Sequence, residues 1–191
     1  MDIKTTLGII SVVVGLVGYI PYLRGMYKGT VHPHVFSWLV WTLLTGIAFL
    51  LQLQDGAGPG AWVTGLTALI CGGITIWSFK VGEKIITRSD WAAFIAALTA
   101  IPLWLAAQSP LLAIVLITVI DTLAFWPTFR KSWWKPWDEA LSEYWAAVIK
   151  FGLALFALNN ITIVTTLYPA ALVFLHLAFI FMAVLRRRAL T

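Results

Sequence analysis

The chain has 191 residues, of which 61% are hydrophobic and 11% charged, with a formal net charge of +5. Soluble domains carry about 25% charged residues, so this composition excludes a conventional soluble enzyme and a disordered protein. The single cysteine, Cys71, excludes an intrachain disulfide framework and Cys-rich metal motifs.

Seven apolar runs are each long enough to cross a bilayer, since a crossing needs about 20 residues. We predict that they are transmembrane helices, because backbone groups in lipid must satisfy their own hydrogen bonds. Glycine and proline in the segment 55–60 indicate a turn between the second and third runs. Ser109 and Pro110 predict an N-cap followed by proline at the first helical position of the fifth run. The runs are Thr5–Leu23, Val35–Gln54, Ala61–Phe79, Trp91–Gln108, Leu111–Phe129, Ala140–Leu158 and Ile161–Leu185.

The lysines and arginines are concentrated on one side of the predicted bilayer. Eleven of the thirteen follow the first, third, fifth and seventh runs, whereas Lys4 lies on the other side and Lys150 within a run. The positive-inside rule then predicts a multi-pass protein of the cell (inner) membrane, with the N-terminus outside and the C-terminus in the cytoplasm. These basic clusters also suit contact with the anionic lipid bilayer. We predict no binding of nucleic acid.

The first three predicted helices match the last three when the chain is shifted by 106 residues. The segment 19–24 then falls on the segment 125–130, and both have the pattern aromatic-x-Pro-x-apolar-Arg. We predict two three-helix repeats, 1–81 and 111–191, the second with a basic cytoplasmic tail, joined by a linker helix within 82–110. The single extra crossing makes the two repeats parallel, which is one of the standard plans of transporters.

This arrangement resembles the PQ-loop/SWEET superfamily in its 3+1+3 plan, its outside N-terminus and the Pro-x-x-Arg that ends the first helix of each repeat. The chain is also similar to uncharacterised small bacterial membrane proteins of that type. The glutamine that follows the proline in this family is Tyr22 in one repeat and Thr128 in the other. The resemblance implies an all-α membrane protein with seven transmembrane helices, in two parallel three-helix-bundle repeats of SWEET-like fold. It further implies association into homo-oligomers.

Three ionisable side chains, Asp121, Lys150 and His176, lie deep within predicted helices of the second repeat. Because a charged side chain at mid-membrane costs about 2.5–3.5 kcal/mol, some contact or function must offset it. In one interpretation the three line a substrate or proton site, with Thr118 and Phe125 on the Asp121 face of the fifth helix. In the other, Asp121 and Lys150 form a structural ion pair, and His176 is hydrogen-bonded within the bundle.

Two prolines occupy equivalent places in the repeats. Pro21 and Pro127 each remove a helix hydrogen bond, so we predict a shared hinge, with an immobile kink as the alternative. Close to these prolines, we predict a cytoplasmic gate in which Glu143 pairs with Arg130 or Arg24. Glycine also recurs at the shared offset, and we predict that the equivalent residues Gly46 and Gly152 allow close helix packing.

The remaining candidate side chains carry weaker signals. Most of the 11 tryptophans suit the membrane interface, although one in a central cavity would stack on a sugar or a heterocycle. Cys71 is interpreted as a small packing residue. His32 and His34 have no clustered partners, so we predict no metal site, and no cofactor motif is present.

These patterns favour a transporter of a small polar metabolite, such as a sugar, an amino acid or a vitamin. It would work by alternating access, either as a facilitator or coupled to protons through Asp121. A membrane receptor or partner-binding subunit of the same fold is the alternative, which the short loops make less favourable. An enzyme is ranked last, because the sequence contains no nucleophile–base pair or metal-ligand spacing.

Overall fold

The computed structural model describes residues 2–82, 109–137 and 141–190, and between 83 and 108 only positions 88, 91, 94, 95, 98, 99 and 102. These residues form helices and no strand, which confirms the predicted all-helical class. A short 3-10 turn at Gly58–Ala61 precedes the third helix. The helices are α1 (Ile3–Tyr27), α2 (Val35–Gln54), α3 (Trp62–Val81), α4 (Pro110–Ala124), α5 (Trp126–Trp134), α6 (Leu141–Phe156) and α7 (Ile163–Leu190).

Five helical segments are long and apolar enough to span a membrane, and they correspond to the first, second, third, fifth and seventh predicted runs. The sixth predicted run contains α6, and residues 138–140, immediately before it, lie outside the described residues. Most of the fourth predicted run and of the linker lies outside the described residues; the described positions of that run, 91, 94, 95, 98, 99 and 102, are helical. The five segments are Ile3–Tyr27, Val35–Gln54, Gly58–Val81, Pro110–Trp134 and Ile163–Leu190.

Local capping explains where several helices begin. Ser109 Oγ accepts a hydrogen bond from Leu112 N at 3.3 Å and Pro110 opens α4, so the predicted N-cap is confirmed. At the start of α1, Asp2 Oδ1 accepts from Thr5 N at 2.6 Å. This backbone hydrogen bond holds the pKa of the Asp2 carboxyl below its usual value, because it stabilises the ionised form.

The two halves of the chain pack in the same order. In the first half α3 packs against both α1 and α2, and in the second half α7 packs against both α4 and α6. The halves meet where α1 lies on α6 and where α2 lies on α4. The main buried apolar cluster joins them and includes Leu44 and Leu51 of α2, Ile114 and Ile117 of α4, and Phe151 of α6. This interlocking arrangement brings all the described helices around one central space.

The prolines that recur in both halves have different effects on their helices, and the recurring glycines do not lie at close helix contacts. α1 continues through Pro21, whereas the fifth predicted run is broken into α4 and α5 at Phe125, two residues before Pro127. The prediction that Gly46 and Gly152 allow close packing is wrong, because a Cβ at either would meet nothing within 4 Å. Close approach occurs instead at Gly60, where a Cβ would lie 2.5 Å from Leu158 Cδ2.

Candidate functional site

A central cavity of about 550 Å³ is lined by side chains from all seven described helices. It extends from the middle of the bundle to the end that carries Arg24, Lys80 and Arg130, which we call the basic end. The size is in the range that holds small metabolites. Residues lining it are Gly15, Gly18, Tyr19, Tyr22, His34, Ser37, Trp38, Trp41, Thr45, Thr67, Cys71, Asp121, Phe125, Thr128, Glu143, Tyr144, Ala146, Ala147, Lys150, Phe151, Tyr168, Leu172 and His176.

Lys150 enters the cavity from α6 and is only 5% exposed. Its ammonium donates a hydrogen bond to Thr67 Oγ1 of α3 at 3.2 Å. The Nζ also lies 4.7 Å from the ring centroids of Tyr19 and Phe151, where ring faces attract a cation. Lys150 reaches across the interface between the halves to α1, where a Cβ at Gly15 would lie at an ordinary contact distance of 3.6 Å from the lysine Cδ.

Asp121 enters the cavity from α4 and is 7% exposed. Its Oδ2 accepts a hydrogen bond from Tyr168 OH of α7 at 3.2 Å, and Trp41 of α2 is a further neighbour of the carboxylate. Asp121 and Lys150 therefore line the same cavity but use different partners. The ion pair considered from the sequence does not form among the described residues.

His176 lines the cavity from α7 and is held within its own helix. Its Nδ1 lies 2.6 Å from Leu172 O, so Nδ1 donates to that carbonyl and Nε2 is left for another group. The imidazole also contacts Phe125, with 5.3 Å between ring centroids. The Phe125 ring, at the break between α4 and α5, packs on Phe129 and Phe179 as well. The broken helix thus sets an aromatic cluster beside the histidine.

The helix face predicted for the fifth apolar run, which lies on α4, lines the cavity only in part. Phe125 lies in the cavity lining together with Asp121, but Thr118 is not among the lining residues. The Thr118 hydroxyl instead donates to Ile114 O of its own helix at 2.6 Å. A threonine that bonds the carbonyl one turn earlier has no donor left for a ligand. The structure therefore places Thr118 outside the lining of the cavity.

Two tryptophans of α2 line the cavity, and the sequence did not single them out from the other nine. Trp38 Nε1 donates to Tyr22 OH at 3.0 Å, and the Trp38 and Trp41 rings lie 5.2 Å apart in an edge-to-face arrangement. Trp41 lies near the Asp121 carboxylate. The two tryptophans offer the cavity their apolar ring surfaces.

Cys71 of α3 is buried and packs with Met26, Trp38 and Ile74, which confirms the predicted packing residue, and it also lies in the cavity lining. Its neighbours include Tyr19, which interacts with the thiol and with Thr67. Tyr19, Thr67 and Tyr168 were missed from the sequence, because single tyrosines and threonines within apolar helices have no distinguishing spacing. Only their positions on three packed helices bring them to the charged groups.

The basic end of the cavity carries the residues of the predicted gate. Glu143 lies in the cavity lining, and Arg24 and Arg130 are exposed at the same end of the bundle. Pairing of Glu143 with either arginine stays a prediction.

His32 and His34 both make contacts within the protein: His32 Nδ1 lies 3.0 Å from Val81 O, and His34 caps α2. In the part of the chain that the structure describes, no three metal-ligating side chains come together.

The opposite end of the cavity is closed by a set of polar contacts between the two halves, which we call the loop seal: Gln52, Asp55, Asn160, Thr162 and Thr165. Thr162 Oγ1 donates to the Asp55 carboxylate, and Asn160 Nδ2 donates to Asp55 O at 2.9 Å. Gln52 Nε2 donates to Thr165 O at 3.2 Å in a fully buried position.

Apolar contacts reinforce the loop seal. Ala57, Ala61 and Leu158 form a buried cluster beneath it. The close approach of Leu158 to Gly60 belongs to the same contact between the two halves. The cavity therefore reaches one end of the bundle and is sealed at the other.

Comparison of the chain with protein-family models, with curated proteins and with solved structures gave no match. The cavity and its two ends are therefore the features that indicate the function of the protein.

Proposed function

We propose that the protein is a membrane transporter of a small polar metabolite that works by alternating access. The observation that carries this proposal is the central cavity, which holds Asp121, Lys150 and His176 and is closed at one end only. Ionisable groups inside a membrane bundle are costly, and they mark substrate and ion pathways. Asp121 is the group that couples transport to protons, because a buried carboxylate can gain and lose one.

The proposed architecture is the SWEET-like 3+1+3 plan with seven transmembrane helices. The equal packing order of the halves supports it, since α3 and α7 each lie against the other two helices of their own half. So does the reciprocal contact of α1 with α6 and α2 with α4. In this plan the two halves are parallel repeats related by an axis along the membrane normal, and their relative rocking opens the cavity to alternate sides.

The proposed location is the cell membrane, with the N-terminus outside and the basic end in the cytoplasm. The five apolar helices support a membrane-embedded protein, and the concentration of Lys and Arg supports this orientation. The cavity then faces the cytoplasm, and the loop seal is the outer gate.

Buried polar atoms in the sealed half support a path through the loop seal. Ser11 Oγ, Gln52 Oε1 and Thr64 Oγ1 are buried without a hydrogen-bond partner among the described residues. Ser11 and Thr64 lie on α1 and α3 between the cavity residues and the sealed ends of those helices. Unpaired buried polar groups are rare because they cost free energy. Water entering through an opened seal would satisfy these three.

Uptake by proteoliposomes tests the proposed function. The purified chain, reconstituted and assayed against a library of labelled small metabolites, is expected to show saturable uptake of at least one polar solute above that of protein-free liposomes. A receptor or partner-binding subunit predicts no uptake of any solute, together with recovery of a stable complex after mild detergent extraction. That pair of results would reject the transporter.

A further inference from the structure

The Lys150 ammonium is a buried cation whose contacts within the protein are incomplete. Its Nζ has three donors, of which Thr67 Oγ1 accepts one, and the rings of Tyr19 and Phe151 stabilise the charge without accepting a strong hydrogen bond. No carboxylate in the described part of the chain pairs with it. A buried charge is strongly destabilising unless it is paired and hydrogen-bonded. The lysine thus presents an unbalanced positive charge to a cavity of about 550 Å³.

The surroundings of Lys150 favour an anion of low charge. One ammonium balances one negative charge, and Asp121 on another wall of the same cavity repels further negative charge. Sites for phosphate groups usually add arginine forks or helix N-termini, and Arg24 and Arg130 instead lie exposed at the basic end. A single carboxylate therefore fits the charge of this site better than a phosphate does.

The opposite wall of the cavity indicates what the rest of the ligand is like. Trp38 donates its indole N–H to Tyr22 OH, and both Trp38 and Trp41 present ring surfaces to the cavity. Such surfaces bind flat apolar groups by stacking and by burial of apolar area. The ligand then has a carboxylate at one end and a planar apolar body at the other.

We propose that the cavity binds small aromatic or similarly flat monocarboxylates, with the carboxylate on Lys150 Nζ and the ring against Trp38 and Trp41. This inference rests on the proposed function in that it names the substrate class of the same cavity. It assigns Lys150 the role of counter-ion to the ligand and leaves Asp121 to carry the proton.

Matched acid and amide probes test the assignment in the purified full-length protein. Isothermal titration is carried out with phenylacetate, 3-phenylpropanoate and indole-3-acetate, and with the three corresponding primary amides. Each pair differs only in the charged group. We expect at least one acid to bind, and its amide to bind at least about tenfold more weakly, because the amide leaves the ammonium without its counter-ion.

Two substitutions localise the effect, with thermal unfolding measured for each to show that it folds. Lys150→Met is expected to lose acid binding by at least about tenfold, and Lys150→Arg, which keeps the charge, to lose less. The proposal is overturned if no acid binds, if amides bind as well as acids, or if a folded Lys150→Met variant binds like the wild type. If Lys150→Met fails to fold, Lys150→Arg decides instead. The proposal is overturned if Lys150→Arg weakens acid binding as much as replacing the acid by its amide does.

The inference and the proposed function can fail separately. If acids bind through Lys150 but are not taken up by proteoliposomes, the ligand class is supported and transport is rejected. If the protein shows saturable uptake of an uncharged solute but binds none of the acids, transport is supported and the ligand class is rejected.

Discussion

Replacing Asp121 with asparagine is expected to abolish accumulation of the solute driven by a proton gradient, while exchange of labelled for unlabelled solute at equal pH continues. Asparagine has nearly the size of aspartate, and its side-chain oxygen can still accept the hydrogen bond that Tyr168 OH donates at 3.2 Å. It cannot take up or release a proton.

The measurement compares uptake with and without a proton gradient, and records acidification of the liposome interior with a trapped dye. Thr118→Val is the matched control, because Thr118 lies one turn away on α4, is equally buried and bonds only its own helix. It should behave like the wild type. Gradient-driven accumulation by Asp121→Asn at the wild-type rate would show that Asp121 is not the coupling group.

Linking the two halves across the loop seal is expected to stop transport. Asp55 and Thr162 are in hydrogen-bond contact, one at the end of α2 and the other just before α7. In a Cys71→Ser background, the Asp55→Cys/Thr162→Cys double variant should react with a short bis-methanethiosulfonate reagent. The cross-link holds the seal closed, so uptake should fall to the level of protein-free liposomes and return when the link is reduced.

The two single variants, treated with the same reagent, control for modification of one thiol alone. They should keep most of their activity, because neither can join the halves. If the cross-linked double variant, verified by mass spectrometry, transports as fast as its reduced form, the loop seal does not open during transport and its assignment as the outer gate is wrong.

The apolar helices could be predicted because burial in lipid imposes a length and a composition on each crossing. Five predicted runs correspond to apolar helices of spanning length. Asp121, Lys150 and His176 could be singled out for the same reason, since charge is scarce in such helices and costly when present. The structure brings all three into one cavity.

The partners of these groups could not be predicted, because they depend on which helices pack together. Lys150 and Thr67 are separated by 83 residues in sequence, and no local pattern marks either threonines or tyrosines as cavity residues. The equivalence of Gly46 and Gly152 in sequence did not indicate which way either residue faces, and a Cβ at either would meet nothing within 4 Å. Equivalent prolines likewise did not predict that α1 is continuous whereas α4 and α5 are separated at Phe125.

The proposed function requires one water-accessible cavity that runs from the basic end to the middle of the bundle. Two single-cysteine variants of α6, Ala146→Cys and Ile149→Cys in a Cys71→Ser background, test it most directly. Ala146 lines the cavity, whereas Ile149 lies on the outer surface of the same helix, 49% exposed. A membrane-impermeant methanethiosulfonate reagent applied to the basic end should modify Ala146→Cys rapidly and Ile149→Cys hardly at all. Equal reactivity of the two variants, or no reaction of Ala146→Cys from that side, would contradict the claim.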